Sequence, residues 1–409
     1  MTPVISTEKA QNEHTAKVTN HILNKRVRML DGQWQGTYVA SDGNVYFAGG
    51  SHSAGVGAPF FRYDPKTREV KTLCQDITLI CNEDPNKTPT QGKVHSEIIE
   101  HKGWIYFGTH LSDYSKKGRD TYTGGHLVGY EMATGKFRDY GIIHPNQTNY
   151  SGIGLDSRRG KIYFYTTPFS RTSEGDPHLY RIDIKSGEKK DLGVVHPRPD
   201  KTKTGWAAQH LFVDGRGDCW LTLHGGQGLF VARRKAGKIE QYNDAMPEGA
   251  SEWYHAYSLS KYRALALMDK GAWIFDTKKF DGTPKCYSLL KEITTPGFFF
   301  SALAVDGDRF YWTDRECRPK EKGGRYDLHL WSASLKDPSD TINHGLIVDR
   351  EGRTPWFIGA IVSDGKGRVY MTGRWYALES EVNRLAVNRH GMQVVVAFSE
   401  VDVSKEIAK

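Results

Sequence analysis

The chain has 409 residues, 25% of them charged and 38% hydrophobic, with 43 glycines, 12% aromatics and a formal net charge of +8. That composition excludes a disordered chain, and no apolar run is long enough to form a membrane-spanning helix. The basic balance fits either a polyanionic ligand or a solvated surface with surplus lysine. No Lys/Arg arm, RNA-binding signature or zinc-finger spacing points to nucleic acid.

In chain order, the first residues, MTPVISTEKAQNEHTAK, lack an apolar signal core, which leaves a cytoplasmic protein or one whose signal peptide is absent from this sequence. Five cysteines are too few for a disulfide scaffold, although Cys74 and Cys81 flank a short loop and can pair if the chain is exported. One phrase then recurs: a turn with Asp or Gly, an aromatic or β-branched run, and a polar end. It reads SDGNVYFAGG, HKGWIYFGTH, RRGKIYFYTT, GRGDCWLTLH, SKYRALALMD, DGDRFYWTDR and DGKGRVYMTGR, starting at 41, 101, 158, 215, 260, 306 and 364.

A short apolar run precedes each copy, and a second hairpin such as HLVGYEMATGKFRDYG follows several of them. Four short strands per unit predict an all-β, seven-bladed β-propeller with four antiparallel strands per blade. The blades fall near 30–80, 92–142, 150–194, 206–243, 253–290, 298–348 and 355–403, in a single domain spanning 1–409. The seventh unit lacks a last strand after MQVVVAFSEVDV, and residues 15–28 are expected to supply it and close the ring. YALESEVNRLAVNRHG is the one segment with a helix-like period.

Because successive strands are antiparallel, the entry to a first strand, the end of a second and the start of a third share one face. His95, His110 and His126 take these positions in the second unit. Tyr150, Tyr165, His178, Tyr180 and Arg181 collect there in the third, after a loop with Arg171. Gln209, His210 and His224 follow in the fourth, His255 in the fifth, and Arg315, Trp356 and Arg374 in the last two. The opposite face reads as ordinary Asp/Gly turns with solvated basic residues. One histidine at a strand end is usually structural; six at equivalent rim positions point to function.

No G-x-S-x-G elbow or phosphate loop is present, and no outstanding carboxylate pair favours glycoside hydrolysis, although Asp113, Asp120 and Glu174 sit in rim loops. His210, Cys219 and His224 fail as a local metal set, since Cys219 begins the strand that His224 ends, roughly 17 Å away at ~3.3 Å per residue. A metal is instead expected across blades from His210, His224 and His255. The rim suits β-elimination on a uronic acid polymer: Arg or protonated His neutralises the carboxylate, while His and Tyr serve as base and acid.

At GKVHSEIIEHKGWIYFGTH, GGHLVGYEMATGKF, SGIGLDSRRGKIYFYTT and HLYRIDIKSGEKKDLG the chain resembles the seven-bladed propeller polysaccharide lyases, most closely the ulvan lyases and more distantly the oligogalacturonate lyases. The resemblance spans essentially the whole chain. It implies cleavage of a sulfated rhamnose and uronic acid polymer to unsaturated uronyl ends. It also implies a catalytic set at His110, His126, Tyr165 and Arg181, with Arg171 competing for the arginine role. Either histidine can be the base, and Tyr165 is the acid, with a base role open to it too.

His95, Tyr150, Arg171, His178, Arg315, Trp356 and Arg374 are then expected to contact substrate. The resemblance further implies a structural zinc or calcium ion away from the chemistry and no organic cofactor. The expected protein is a secreted or periplasmic monomer acting on ulvan, with no nucleic-acid or membrane partner. The alternatives are a metal-dependent oligouronide lyase and a non-catalytic propeller that binds sugar or protein on the same face.

Overall fold

The computed structural model describes residues 14–150, 152–168, 175–198, 208, 210–226, 228–293, 302–317, 325–389 and 392–404. The chain divides into two compact units, residues 33–292 and residues 1–32 with 293–409. Their strands pair antiparallel with one exception described below, and the sheets are arranged as a β-propeller.

Residues 33–292 form five consecutive four-stranded meanders. The second runs Ile99–His101, Trp104–Gly108, His126–Glu131 and Phe137–Ile142, and the third Ile153–Asp156, Lys161–Tyr165, His178–Asp183 and Lys189–Val194. The first strands of the second to fifth sheets lie successively beside one another. Apolar side chains from adjoining sheets pack together: Tyr106, Leu127 and Tyr140 meet Ile153, Phe164 and Ile182. Alternation along each strand thus buries both faces of a sheet, one against each neighbour.

The other unit holds a nine-stranded sheet. Leu303–Asp306, Arg309–Thr313, His329–Ser334 and Thr341–Asp349 form one meander, and Pro355–Ser363, Arg368–Tyr376 and Met392–Asp402 lead toward its other edge. Thr15–Ile22 joins them. Its first half runs parallel to Leu346–Asp349 and its second half antiparallel to Ala397–Glu400, so the N-terminal strand supplies the pairing that the last repeat lacks. All seven repeated phrases fall on the turn and second strand of such a hairpin. Among its described residues, the segment with a helical period follows the end of Arg368–Tyr376 with a 3-10 turn, Glu379–Glu381, and the short strand Val387–Arg389; Asn383 lies in the left-handed region at φ 70° just after the turn. Cys74 and Cys81 are both free thiols.

Candidate active site

The site in residues 33–292 begins where the second sheet's ladder runs past its strand ends. Lys93 and His110 exchange two backbone hydrogen bonds, at 3.0 and 2.9 Å, which brings the segment Lys93–His95 alongside His110. Gly92 permits this approach: a Cβ there would lie 2.2 Å from the Ser112 Cβ. His110 and Lys93 are fully buried and His95 nearly so. The His95 ring is sandwiched between Trp34 at 4.5 Å and Tyr150 at 4.4 Å, both nearly parallel to it, and meets His110 edge-on at 5.0 Å. His52 stands edge-on to Trp34 and Tyr114. Trp34, His52, Tyr114 and Tyr150 are half-exposed and form the mouth; Lys93, His95 and His110 form the floor.

The Tyr114 oxygen lies 2.5 Å from His110 Nε2, and Thr148 Oγ1 bonds His110 Nδ1. Thr148 belongs to a wider hydrogen-bonded network. Gln91 Nε2 donates to Glu83 Oε2 at 2.8 Å and to the Gly124 carbonyl at 3.0 Å, so Gln91 Oε1 is the acceptor for the Tyr122 hydroxyl at 2.6 Å. Thr148 is hydrogen-bonded to the Tyr122 hydroxyl in turn, a phenol whose pKa burial pushes well above the usual range. In the neutral tautomer with the proton on Nδ1, His110 donates to Thr148 and its Nε2 accepts from the Tyr114 hydroxyl. Burial, followed by the charges of Lys93, His95 and His52, holds the His110 pKa well below its usual value, so the ring is neutral. Lys93 Nζ donates to the Leu111 carbonyl at 2.9 Å and sits 3.6 Å above the Tyr114 ring, placing positive charge beside the phenol.

His126 enters a different constellation. Its Nδ1 lies 2.9 Å from Asp139 and its Nε2 3.5 Å from Glu83, with Cys81 adjacent. Burial opposes charging this ring, but its bonds to Asp139, Cys81 and Glu83 outweigh that and hold its pKa up to about 11. His126 is therefore an imidazolium in a carboxylate cage, and its ring connects to His110 through Glu83, Gln91, Tyr122 and Thr148. Tyr165 is fully buried among Leu179, Leu221 and Phe230, and burial pushes its hydroxyl well above the usual range. Arg181 pairs across the ladder with Tyr163, and its guanidinium bonds the Arg234 carbonyl at 3.4 Å, toward the Gly217 turn on the far face. The four residues set by the resemblance thus occupy four different surroundings.

The expected metal set is also redistributed. His210 Nδ1 lies 2.8 Å from Glu97, the His210 and His255 rings approach to 3.8 Å, and Gln35 Nε2 lies 3.1 Å from His210 Nε2. One ligand atom each from Glu97, His210 and His255 lies within 4.8 Å of the others. Two imidazoles and a carboxylate suit manganese or zinc. Burial pushes His210 down to about 3 and His255 well down, which keeps the imidazoles neutral as metal ligands must be. Burial raises Glu97 to about 7 despite the opposing effect of His255. His224 stands apart, two-thirds exposed and bonded to Glu252 at 2.8 Å. Glu97 takes its expected place because it lies two residues beyond His95, in the same entry segment. Gln35 likewise follows Trp34, so the triad and the aromatic pocket share two short segments of chain.

Among the expected substrate contacts, Tyr150 and His95 belong to the pocket. His178 bonds Asp191 at 2.9 Å and stacks on His144 at 4.8 Å. Arg315, Trp356 and Arg374 come together in the other unit: the two guanidinium groups lie 5.2 and 4.8 Å from the Trp356 ring, and Arg315 also covers Tyr326 at 3.6 Å. Arg171 and Gln209 lie outside the described residues. Trp34, His52, Lys93 and Tyr114, like Glu97, carried no strand-end signal.

No family model and no curated protein matches the sequence. Solved structures do resemble the fold. A streptogramin B lyase aligns with a TM-score of 0.56 at 13% identity, over 94% of this chain and 97% of the other. An oligogalacturonate lyase from Vibrio parahaemolyticus aligns at 0.54 and 11%, over 95% and 98%. An oligogalacturonate lyase solved in complex with manganese aligns at 0.52 and 10%, over 96% and 98%. At these identities the likeness is one of fold, and that fold is the β-propeller.

Proposed function

We propose that the protein is a polysaccharide lyase that cleaves a uronate-containing polymer by β-elimination, with ulvan as its substrate. The observation that carries this reading is the Tyr114–His110 pair beneath an aromatic mouth, with Lys93 against the phenol ring. The sequence resemblance and the propeller lyases of like fold support it.

The half-exposed Tyr114 oxygen meets the sugar, and the buried His110 acts through it. As the Tyr114 proton moves to His110 Nε2, the phenol oxygen takes the proton from the carbon next to the carboxylate. The electron pair of that C–H bond becomes the new C=C bond, and the adjacent C–O glycosidic bond breaks. The departing oxygen takes a proton from Tyr114, which His110 then resupplies. Lys93 stabilises negative charge on the phenol oxygen during transfer, and the low pKa of His110 drives the proton back. Trp34 and Tyr150 supply faces for the apolar side of the sugar rings. Glu97, His210 and His255 would hold a divalent cation, and a bound cation supplies charge to neutralise the uronate carboxylate.

Ultraviolet absorbance of the unsaturated product tests the reading. Turnover of ulvan that disappears in Tyr114→Phe supports it, and no product from ulvan, pectate or other uronans rejects it. The Glu97, His210 and His255 cluster favours one variant reading, a metal-dependent lyase of short oligouronides. That version predicts turnover abolished by chelator and faster on short substrates than on polymer.

A further inference from the structure

The turns of the second and third sheets, on the face opposite His110, enclose a cleft of about 570 Å³. Six residues separate Trp104 from His110, roughly 20 Å at ~3.3 Å per residue, so this cleft is distinct from the pocket. Lys102, Arg138, Arg158, Arg159 and Lys185 line it. The only carboxylate in the lining is Asp183, which is already bonded by Lys161. Arg159 is held by Asp156 at 2.8 Å, and Arg138 lies 4.3 Å over the Tyr140 ring while bonding the Ile184 carbonyl. Two cations are thus fixed in place by the fold, whereas Lys102, Arg158 and Lys185 are exposed around the opening.

We infer that this cleft is a second binding site, which takes the sulfate- or carboxylate-bearing sugars of an acidic polysaccharide. A volume of several hundred Å³ suits a short run of sugar rings. Trp104, half-buried beneath the cations, offers one apolar face for a pyranose, while Tyr106 and Tyr140 are buried behind it. Nucleic acid would ask for successive accessible aromatic faces along a basic track, and here the half-buried Trp104 shares the lining with two more fully buried tyrosines and five cations. Guanidinium groups fixed by Asp156 and Tyr140 recognise sulfate and carboxylate with little ordering cost. Such a site would hold polymer on one face while the other turned it over.

Binding is measured on the full chain carrying Tyr114→Phe, so that the result does not depend on turnover. Titration calorimetry would use ulvan oligosaccharides, the same oligosaccharides after desulfation, and a single-stranded oligonucleotide. The expected result is glycan binding that Lys102→Ala with Arg158→Ala weakens at least tenfold at one class of site, and that Lys185→Glu weakens in the same direction. These side chains are exposed, so an unchanged melting curve is expected. Retention after desulfation assigns the contact to carboxylate and loss assigns it to sulfate; both support the site when the substitutions remove the binding. Glycan affinity unchanged by the substitutions, no glycan binding, or tighter binding of the oligonucleotide would overturn the inference.

Discussion

Acidification from pH 6.5 to 4.5 should destabilise the unit formed by residues 33–292 with a slope set by its buried rings. His110, His210 and His255 are all depressed by burial, so the unfolded chain takes up their protons first. Their contribution to stability is present above about pH 6.5 and is lost as pH falls toward their folded values. Glu97 works in the opposite sense: raised to about 7, it protonates in the folded state before the unfolded one. His126, held up to about 11, stays charged in the folded state while the unfolded ring gains its proton near pH 6.5, so it opposes the loss only at the top of this window. Three protons in the unfolded chain against one in the folded leave a difference of two, or about 2.7 kcal/mol of stability lost per pH unit. His101 and His144, also lowered by burial, act in the same direction. Urea unfolding in chelator at half-unit pH steps measures the slope, and His110→Gln should cut it by about half. Stability that stays flat over this range, or a slope indifferent to His110→Gln, would refute the assignment of neutral buried rings.

Replacing Glu97 with Gln should weaken manganese or zinc binding at least tenfold in a calorimetric titration, because the site loses its only anionic ligand among the described residues. Asp139→Asn should cost about 3 kcal/mol in denaturant unfolding, since it leaves the buried His126 imidazolium short of a partner. Tyr165→Ala should destabilise the fold by about 3–5 kcal/mol through the cavity it opens. Tyr165→Phe should keep turnover of ulvan near the parent value, and its loss with the fold intact would return the acid role to Tyr165.

The propeller was readable because each repeat carries its own hairpin signal and each hairpin is local. KIYFYT becomes Lys161–Tyr165, and the turn before it falls between paired strands. The closing strand was readable for a different reason: an unfinished last repeat leaves an edge, and the N-terminal segment has alternating buried positions at Ala16, Val18 and Ile22. Strand-end counting also brought His95, His110 and Tyr150 to one place. It failed at Arg181, because His178–Asp183 pairs that residue with Tyr163 and carries it toward the opposite turn. It grouped His126 with His110, although the two rings have different partners, because nothing in the sequence signals that Glu83 and Asp139 enclose the His126 ring. Lys93, Tyr114 and Trp34 sit in entry segments and loops, where period gives no address and a lysine ordinarily reads as solvated. Their burial and stacking come from packing between sheets, which a single sequence does not display.

The proposed chemistry rests on Tyr114, polarised by His110, moving the protons of a β-elimination. Initial rates of unsaturated product formation from ulvan, compared between the parent and Tyr114→Phe with substrate binding measured in parallel, test it most directly. With the phenol removed, kcat should fall by about a hundredfold or more while affinity changes little, the loss expected for a general acid–base. Equal kcat in the two proteins would contradict it.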